Sequence, residues 1–482
     1  MRILMGVHGL PPQSVGGAEL YALQLAEALA DTHHVLLFAP LLDAALPEGS
    51  QHETRHPGAR GGSLRIVQRR LPRARSFRET WASPAAEQWL KALIVQHQPE
   101  LLHLHHLTWL SMRLPELAQQ AGIPTLLTLH DYWLHCARGQ RLTIHDARCD
   151  GPSLEGCTTC LEDQLLLEHR LGEGLRTLKA HLPAEWAQRL ASTTWALPSS
   201  SDLKELEPGR KFLPWLRARL RTRARPHLEA RAHEAQRCLA HCVLVLSPSQ
   251  HLGQFFVSQG LDPARLRILP PSPPPARPRV QWPAAAPPLR LAFVGSVIPA
   301  KGLHVVLEAL RSLPPEGFVL DVVGPSPEVH RAPGYAASCR RLAEGLHVTW
   351  WGAQPHEHVQ ALLEQVHGLV FPSIWEENAP LVLAEARARG LWIVASALSG
   401  AHERLRAYPH VEWRTAGDVA GWRDALQAGL KHLPSGLFQP PVPEEAAQES
   451  PTHPDLLPHL LLYQEALKFG SVALEKKVQQ PT

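Results

Sequence analysis

Four short stretches of the sequence carry residue types that could bind an anionic ligand. They are PPQSVGGAELY (residues 11–21) with Gly16 and Gly17, TLHDYW (128–133) with His130, FVGSVIPAKG (293–302) with Lys301, and SIWEENAPLVLAEA (373–386) with Glu377 and Glu385. A glycine pair that opens a helix can bring backbone N–H groups against a phosphate. Each stretch alone is also typical of a turn, a structural histidine or solvated side chains. All four stretches are predicted at strand ends that face one cleft, and this shared location favours a role in ligand binding.

The segment around Glu377 has the pattern of a strand, a loop, a helix and another strand. Pro380 has a fixed φ and no N–H, which suits the first position of a helix. Asn378 could cap that helix, and Gly390 could end it. In such βαβ units ligands bind at the carboxyl ends of the strands. The pattern therefore predicts Glu377 at the rim of a ligand site and Glu385 in the second helical turn.

The whole chain divides at proline-rich stretches. Its 482 residues are too many for one hydrophobic core, and strand and helix patterns alternate on both sides of a stiff linker. This predicts an α/β protein with two Rossmann-like, doubly wound domains facing across a cleft. We assign residues 1–270 to an N-terminal domain with a helical insertion at about 161–241, 271–288 to the linker, 289–438 to a C-terminal domain, and 439–482 to a proline-rich segment, a helix and a disordered tail. The insertion is expected to form several helices, broken at prolines that include Pro214 and Pro226.

Composition limits the classes of partner. The net charge of +3 does not by itself indicate a polyanionic or an acidic partner. The sequence contains no recognisable motif for nucleic-acid recognition. The chain opens on RILMGV, which resembles a strand of the fold with no signal peptide before it. No apolar run reaches the roughly 20 residues of a spanning helix. We therefore expect a cytoplasmic protein, with any membrane contact peripheral.

The motifs together resemble a known family. GGAE follows the first strand, His130 follows a mid-domain strand, FVGxxxxxKG follows the linker, and PSxxEENAPLVLAEA separates two glutamates by seven residues. This combination is similar to the retaining glycosyltransferases of family 4, which have the GT-B fold. The likeness extends over most of the chain and is weakest in residues 161–241 and in the tail.

The resemblance implies that a sugar passes from a nucleoside-diphosphate sugar in the C-terminal domain to a carbohydrate, lipid-linked or small-molecule acceptor in the N-terminal one. It implies no catalytic metal. Glu385 would bind the ribose hydroxyls and Glu377 those of the donor sugar, since each hydrogen bond to a carboxylate contributes roughly 1.5–3 kcal/mol. Lys301 would neutralise the diphosphate, and His130 would position the sugar. The backbone groups implied in donor binding are those of Gly16, Gly17, Leu381 and Val382.

Two positions depart from the family pattern. Ser296 stands where many members have an arginine, so a hydroxyl replaces a phosphate-binding cation in the donor site. Pro380 lacks an N–H that many members offer to the diphosphate. These departures favour an alternative, a catalytically silent GT-B protein that acts as a scaffold or partner of another transferase. The presence of Lys301, Glu377, Glu385 and His130 together argues against it. An epimerase or a phosphorylase on the same fold also stays open.

Four cysteines within 25 residues form a cluster after the His130 stretch. They are Cys136, Cys149, Cys157 and Cys160, with His135 and His145 nearby. A Cys-x2-Cys pair with two more thiolates could hold a structural zinc, while the alternative is four reduced cysteines packed in a loop.

The stretch GRKFLPWLRARLRTRARP (residues 209–226) is strongly basic. It has seven Lys and Arg residues, no acidic residue and interleaved apolar ones. It could lie on an anionic membrane surface, at the inner face of the membrane, or bind an anionic glycan. The alternative, a solvated helix packed by its apolar side, is the expected one.

Overall fold

The computed structural model describes residues 1–14, 16–43, 45–143, 147–161, 212–271, 288–327, 332, 334–432 and 456–478. These residues form two sheets, one from each half of the chain, with helices on both faces of each. The predicted α/β fold with two Rossmann-like units is confirmed.

The first sheet has eight strands in the order β3-β4-β2-β1-β5-β6-β7-β8, and all neighbours pair in parallel except β3 with β4. Its strands are β1 Arg2–Gly6, β2 His34–Pro40, β3 Gln51–Pro57, β4 Ser63–Arg69, β5 Leu101–Leu104, β6 Thr125–Thr128, β7 Leu244–Ser247 and β8 Leu266–Ile268. The antiparallel β3–β4 hairpin was not predicted, because β3 is exposed along its whole length and has no buried face to create an alternating pattern.

The second sheet has six strands in the order β11-β10-β9-β12-β13-β14, all paired in parallel. They are β9 Leu289–Val294, β10 Phe318–Val323, β11 Val348–Gly352, β12 Gly368–Phe371, β13 Trp392–Ser396 and β14 Val411–Arg414. The helix after β12 and the strand after that helix form the βαβ unit predicted around Glu377.

Thirteen α-helices are described. They are α1 Gly17–Ala30, α2 Pro84–His97, α3 Leu114–Gln120, α4 Leu154–Cys160, α5 Phe212–His241, α6 Gln250–Ser258, α7 Leu303–Leu310, α8 Tyr335–Leu342, α9 His356–Leu363, α10 Leu381–Ala388, α11 Ser399–Arg404, α12 Val419–His432 and α13 Leu457–Val478. None of the helices in the described part of the chain combines the length and apolarity that a membrane crossing requires.

Each sheet has a hydrophobic core on both faces. Along β1, Leu4 packs into one core while Ile3 and Met5 pack into the other. Along β13, Trp392 and Ile393 divide in the same way. Successive side chains of a strand point to opposite faces, so the central strands are buried on both sides. Such strands read as continuous apolar runs, and for this reason they were predictable from the sequence.

Two predicted features were wrong. Residues 212–241 form one helix that contains both Pro214 and Pro226, where breaks were predicted. Pro214 lies in the first turn, where the missing N–H has no partner in any case. Pro226 is exposed and lies inside the helix, although its ring removes one helical N–H and meets the carbonyl four residues back. The remainder of the predicted insertion, residues 162–211, lies outside the described residues. The last helix also continues to Val478, through residues expected to be a disordered tail.

Candidate active site

Lys301 lies in the connection that follows β9. A single 3-10 turn, Pro299–Lys301, precedes α7, which begins two residues after the predicted start at Lys301. The turn ends at Gly302, whose φ is +68° and whose α-hydrogen faces the carbonyl of Pro372. A Cβ at Gly302 would come 2.0 Å from that oxygen. Only glycine therefore lets the Lys301 turn lie directly against the chain that leaves β12.

Glu377 is the residue on which this region converges. Its carboxylate is buried, and its Oε1 accepts hydrogen bonds from Lys301 Nζ at 2.5 Å, Ser373 Oγ at 2.9 Å and Trp375 Nε1 at 3.0 Å. Lys301 Nζ also lies 5.8 Å from the centre of the Trp375 ring. The structure thus brings together two of the predicted residues as a hydrogen-bonded ion pair.

The helix α10 begins immediately after this loop. Pro380 is its N-cap, and no side chain caps the first turn. The N–H groups of Leu381 and Val382 lie in that turn and have no partner within the helix. Glu385 lies in the second turn as predicted, with Oε1 3.9 Å from His356 Nδ1. Burial raises the pKa of Glu385 above its usual range, partly offset by the charge of His356.

Asn378 was predicted to cap α10, and this prediction was wrong. Its side-chain Nδ2 instead donates a hydrogen bond to the backbone oxygen of His130, at 2.8 Å, in the other half of the molecule. No local pattern distinguishes a capping asparagine from one that bonds a distant carbonyl. The contact brings the His130 segment against the Glu377 loop, so the two halves of the predicted site meet across the cleft.

His130 lies just after β6, at the carboxyl edge of the first sheet. Its Nε2 is 3.4 Å from His105 Nδ1, and its ring packs edge-on against Tyr21 with centres 5.7 Å apart. Burial lowers the pKa of His130 to about 3, with the charge of His106 as a further cause. The imidazole is therefore neutral at neutral pH and can donate or accept a hydrogen bond without carrying charge.

The glycine pair lies at the start of the helix after β1, and Ser296 lies in the loop after β9, as predicted. Gly16 is the N-cap of α1, with no side-chain cap, and a Cβ at Gly17 would meet no atom within 4 Å. Since Tyr21 of α1 contacts the His130 ring, the first turn of α1 lies at the same edge of the sheet as His130. Ser296 lies in the loop after β9, where its carbonyl accepts the N–H of Ile298 at 2.9 Å.

Two ionised carboxylates lie beside His130, and neither was given a role from the sequence. Asp131 lies 3.2 Å from His106 Nε2, and burial alone would raise its pKa, but the charge and hydrogen bond of His106 lower it. Glu19 accepts from Ser14 Oγ and lies 3.2 Å from His8 Nε2. Burial alone would raise the pKa of Glu19, but the hydrogen bond and charge of His8 outweigh this effect and lower the pKa to about 2. The available signal was position, because both adjoin motifs already identified.

Two further contacts join the halves of the molecule. Arg148, which directly precedes Cys149, pairs with the buried Glu376 next to Glu377. Glu403 of α11 accepts the backbone N–H groups of Gln250 and His251 at the start of α6, both at 2.7 Å. A carboxylate at a helix N-terminus is stabilised by the unpaired N–H groups and the helix dipole. These pairings are long-range, so no sequence pattern indicates them.

All four clustered cysteines are free thiols and partly buried. Cys157 and Cys160 lie on α4, and burial raises the pKa of Cys157, with the neighbouring cysteines as further causes. Within the described ranges, no three His, Cys, Asp or Glu side chains are grouped so as to hold a metal ion. His145 lies outside those ranges, and the zinc site stays a prediction.

The basic stretch 209–226 is described in part. Its first three residues lie outside the described residues, and of residues 212–223 only the helical backbone is described. Peripheral membrane contact through this stretch stays a prediction.

Two α/β sheets with a site between their facing carboxyl edges are the arrangement of the GT-B fold. The fold is similar to that of Anabaena HepE in complex with UDP-glucose, with a TM-score of 0.54, 13% identity, and coverage of 99% of this chain and 100% of that one. It is also similar to the catalytic domain of starch synthase IV from Arabidopsis thaliana bound to ADP and acarbose, with a TM-score of 0.54, 13% identity, and coverage of 97% and 99%. At these identities the likeness establishes the fold.

Sequence comparison identifies the family. Residues 16–154 match the glycosyl transferase 4-like domain, and residues 278–412 match the glycosyl transferases group 1 family. The chain belongs to the family 4 glycosyltransferases. A segment of 150 residues is 30% identical to WcaL of Escherichia coli, which is named as a colanic acid biosynthesis glycosyltransferase. That match covers 29% of this chain and only 33% of the relative.

Proposed function

We propose that this protein transfers a sugar from a nucleoside-diphosphate sugar to a carbohydrate or lipid-linked acceptor, with retention of the anomeric configuration. The observation that carries the proposal is the pairing of Lys301 with Glu377 beside the uncapped N-terminus of α10. A cation, a hydroxyl-binding carboxylate and free backbone N–H groups are what a diphosphate attached to a sugar requires. Membership of family 4 supports the same assignment.

The donor diphosphate would lie between Lys301 and the first turn of α10. The N–H groups of Leu381 and Val382 point out of the helix start and favour negative charge there. On binding, Lys301 would exchange Glu377 for a phosphate oxygen, which leaves Glu377 Oε1 free to accept a sugar hydroxyl. Ser296 supplies a hydroxyl rather than a second cation, so Lys301 carries most of the neutralisation. The N–H groups at Gly16 and Gly17 would face the diphosphate from the other domain.

The sugar and the nucleoside would be held by the two glutamates. Glu377 would accept from hydroxyls of the donor sugar, and Glu385 from those of the ribose. Hydrogen bonds to charged groups contribute roughly 1.5–3 kcal/mol each, enough to select a polyol. The raised pKa of Glu385 is lowered again if a ligand supplies hydroxyl donors to the carboxylate. His130, neutral at the edge of the cleft, would position the donor sugar by a hydrogen bond.

The chemical step needs no protein nucleophile in this proposal. The acceptor hydroxyl attacks the anomeric carbon on the face from which the diphosphate leaves. The bond between the anomeric carbon and the diphosphate oxygen breaks while the new glycosidic bond forms. The departing phosphate oxygen takes the proton of the acceptor. Lys301 and the helix N–H groups stabilise the negative charge that develops on the leaving group, as preorganised donors do. The cytoplasmic location stays a prediction.

A panel of nucleoside-diphosphate sugars, screened by thermal shift, tests the donor site. A ligand at one hundred times its Kd stabilises the folded protein by about 2.7 kcal/mol, and Glu385→Ala should lose most of that gain. Glu357→Ala, which removes an exposed carboxylate from α9 of the same domain, is the matched control and should keep it. If no donor binds the parent protein, the proposal fails. If donors bind but neither transfer nor hydrolysis occurs, the scaffold alternative replaces it.

A further inference from the structure

A chain of buried polar rings lies behind His130. At its far end, His103 has both ring nitrogens paired, Nδ1 with Tyr463 OH at 2.7 Å and Nε2 with Thr128 Oγ1 at 2.8 Å. His103 and Tyr463 are fully buried, and Thr128 nearly so. Two short hydrogen bonds on opposite sides of an imidazole hold the orientation of its ring and select its tautomer.

The next ring in the chain is His105. Its centre lies 4.1 Å from that of His103, and its Nδ1 lies 3.4 Å from Nε2 of His130. His105 is fully buried, and burial lowers its pKa and that of His103 well below the usual range. The rings are therefore uncharged and packed against one another, so the orientation of His103 restricts His105, and His105 restricts His130.

A second path reaches His130 through Tyr21. The hydroxyl of Tyr21, on α1, forms a hydrogen bond of 2.8 Å with His459 Nε2. The ring of Tyr21 packs edge-on against His130 and His105, with centres 5.7 and 5.8 Å apart. Such edge-to-face pairs have a preferred geometry and contribute about 0.5–1.5 kcal/mol. A hydrogen bond that fixes the Tyr21 hydroxyl therefore also fixes one wall of the His130 pocket.

Both paths end on the same element, the C-terminal helix α13. His459 and Tyr463 are four residues apart and lie on one face of that helix, buried against the first sheet. Glu465 of α13 also pairs with Arg267 of β8. The helix follows the second α/β unit in sequence, yet it packs on the first. A segment remote from every catalytic motif thus supplies two groups to the surroundings of His130.

We propose that Tyr463 and His459 are positioning residues for His130, and that α13 completes the acceptor-domain side of the active site. The inference rests on the proposed function for the part that concerns turnover. Tyr463 acts through His103 and His105, and His459 acts through Tyr21. Neither touches the reacting atoms. The other titratable groups that face His130 are His8, Glu19, Tyr21, His105, His106 and Asp131.

The test removes one hydroxyl from each of two buried tyrosines. Tyr463→Phe breaks the bond to His103 and keeps the ring. Tyr408→Phe is the matched control, since Tyr408 is also buried and its hydroxyl donates to the Leu391 carbonyl at 2.6 Å, within the core of the second unit. Deuterium exchange at the C2 position of each histidine, followed by mass spectrometry across pH, reports the pKa and solvent access of His130. Release of nucleoside diphosphate from the best donor of the panel, with water as acceptor, reports turnover.

In Tyr463→Phe we expect faster exchange at His130 and a pKa that rises from about 3 towards the ordinary 6.5, because water gains access to the ring. We expect turnover to fall by roughly tenfold to a hundredfold with an unchanged KM for the donor, as for a catalytic group displaced by a fraction of an ångström. Tyr408→Phe should lower the melting temperature without either change. His459→Phe, which retains a flat ring, is the second variant and should give the same pattern if Tyr463→Phe does not fold.

The proposal is overturned if Tyr463→Phe, or His459→Phe in its place, loses stability as Tyr408→Phe does while exchange at His130 and turnover match the parent. Absence of turnover in the parent protein itself contradicts the proposed function instead. The exchange at His130 still measures the positioning in that case, so the two failures are distinguishable.

Discussion

Lys301 Nζ and Glu377 Oε1 meet at 2.5 Å although 76 positions separate them in the chain. Two elements make this contact, the turn after β9 and the loop after β12, which are neighbouring strands of the second sheet. The carboxylate is buried and three donors converge on its Oε1, so this ion pair is fixed rather than a mobile surface contact.

Replacement of Lys301 tests its role in neutralising the leaving group. Lys301→Met should lower donor turnover by roughly 100-fold or more, as removal of one preorganised donor does elsewhere. Lys301→Arg keeps the charge and should lose less. Steady-state release of nucleoside diphosphate measures both, and Lys431→Met, an exposed lysine of α12, is the control. Equal turnover in parent and Lys301→Met would remove Lys301 from the mechanism.

Gly302 lets the Lys301 turn approach the Pro372 carbonyl. Gly302→Ala should lower the free energy of unfolding by roughly 3 kcal/mol, because the new Cβ would lie 2.0 Å from that oxygen and φ is +68°. Gly345 also has a positive φ, of +81°, but a Cβ there would meet nothing within 4 Å. Gly345→Ala should therefore lower the free energy of unfolding by only about 1 kcal/mol. Urea unfolding measures both. Equal losses would mean that the close approach contributes nothing.

The pairing of Arg148 with Glu376 should hold the two halves of the molecule together. Arg148→Glu places two negative charges against each other at the buried Glu376, so the cleft should open. We expect a larger radius of gyration by small-angle X-ray scattering and a higher KM for the donor. Lys91→Glu makes the same change of charge on an exposed residue of α2 and should leave both values unchanged. Identical scattering from Arg148→Glu and the parent would argue against this role.

The buried histidines should make the protein sensitive to acid. His103 and His105 have pKa values well below 6.5, so below pH 6.5 the unfolded chain binds protons that the folded chain does not. The free energy of unfolding should therefore fall as the pH drops from 6.5, by up to about 1.4 kcal/mol per pH unit for each histidine. Glu19, with a pKa of about 2, adds a further loss below pH 4.5.

Urea titrations at pH 7.5, 6.5 and 5.5 measure this dependence. His103→Asn removes one of the titrating groups and should reduce the slope, while His52→Gln removes an exposed histidine of β3 and should not. A free energy of unfolding that is constant from pH 7.5 to 5.5 would show that these rings take up protons in the folded state.

The cysteine cluster makes a prediction about metal content. If Cys136, Cys149, Cys157 and Cys160 bind zinc, elemental analysis of protein purified with zinc should find about one zinc per chain. The double change of Cys157 and Cys160 to serine should abolish it and lower the melting temperature. Cys238→Ser, in a buried cysteine outside the cluster, should retain the metal. A metal-free parent protein with four reactive thiols would favour the alternative of reduced, packed cysteines.

The sequence alone was sufficient for the fold class and for the positions of the main motifs. Central strands buried on both faces produce apolar runs, and glycine and proline mark where the connections begin, so the βαβ unit around Glu377 could be predicted. Lys301, Glu377 and Glu385 were identified because their spacing follows a local pattern. The roles proposed for them come from the resemblance to a family.

Tertiary structure alone decided which of these groups meet and what surrounds them. Asn378 bonds the His130 carbonyl instead of capping α10, Arg148 reaches Glu376, and Tyr463 pairs with His103 from 360 positions away. Contacts of this kind depend on how two sheets and a returning helix pack in space. A periodic pattern records only which side of its own element a residue occupies, so it carries no information about the distant partner.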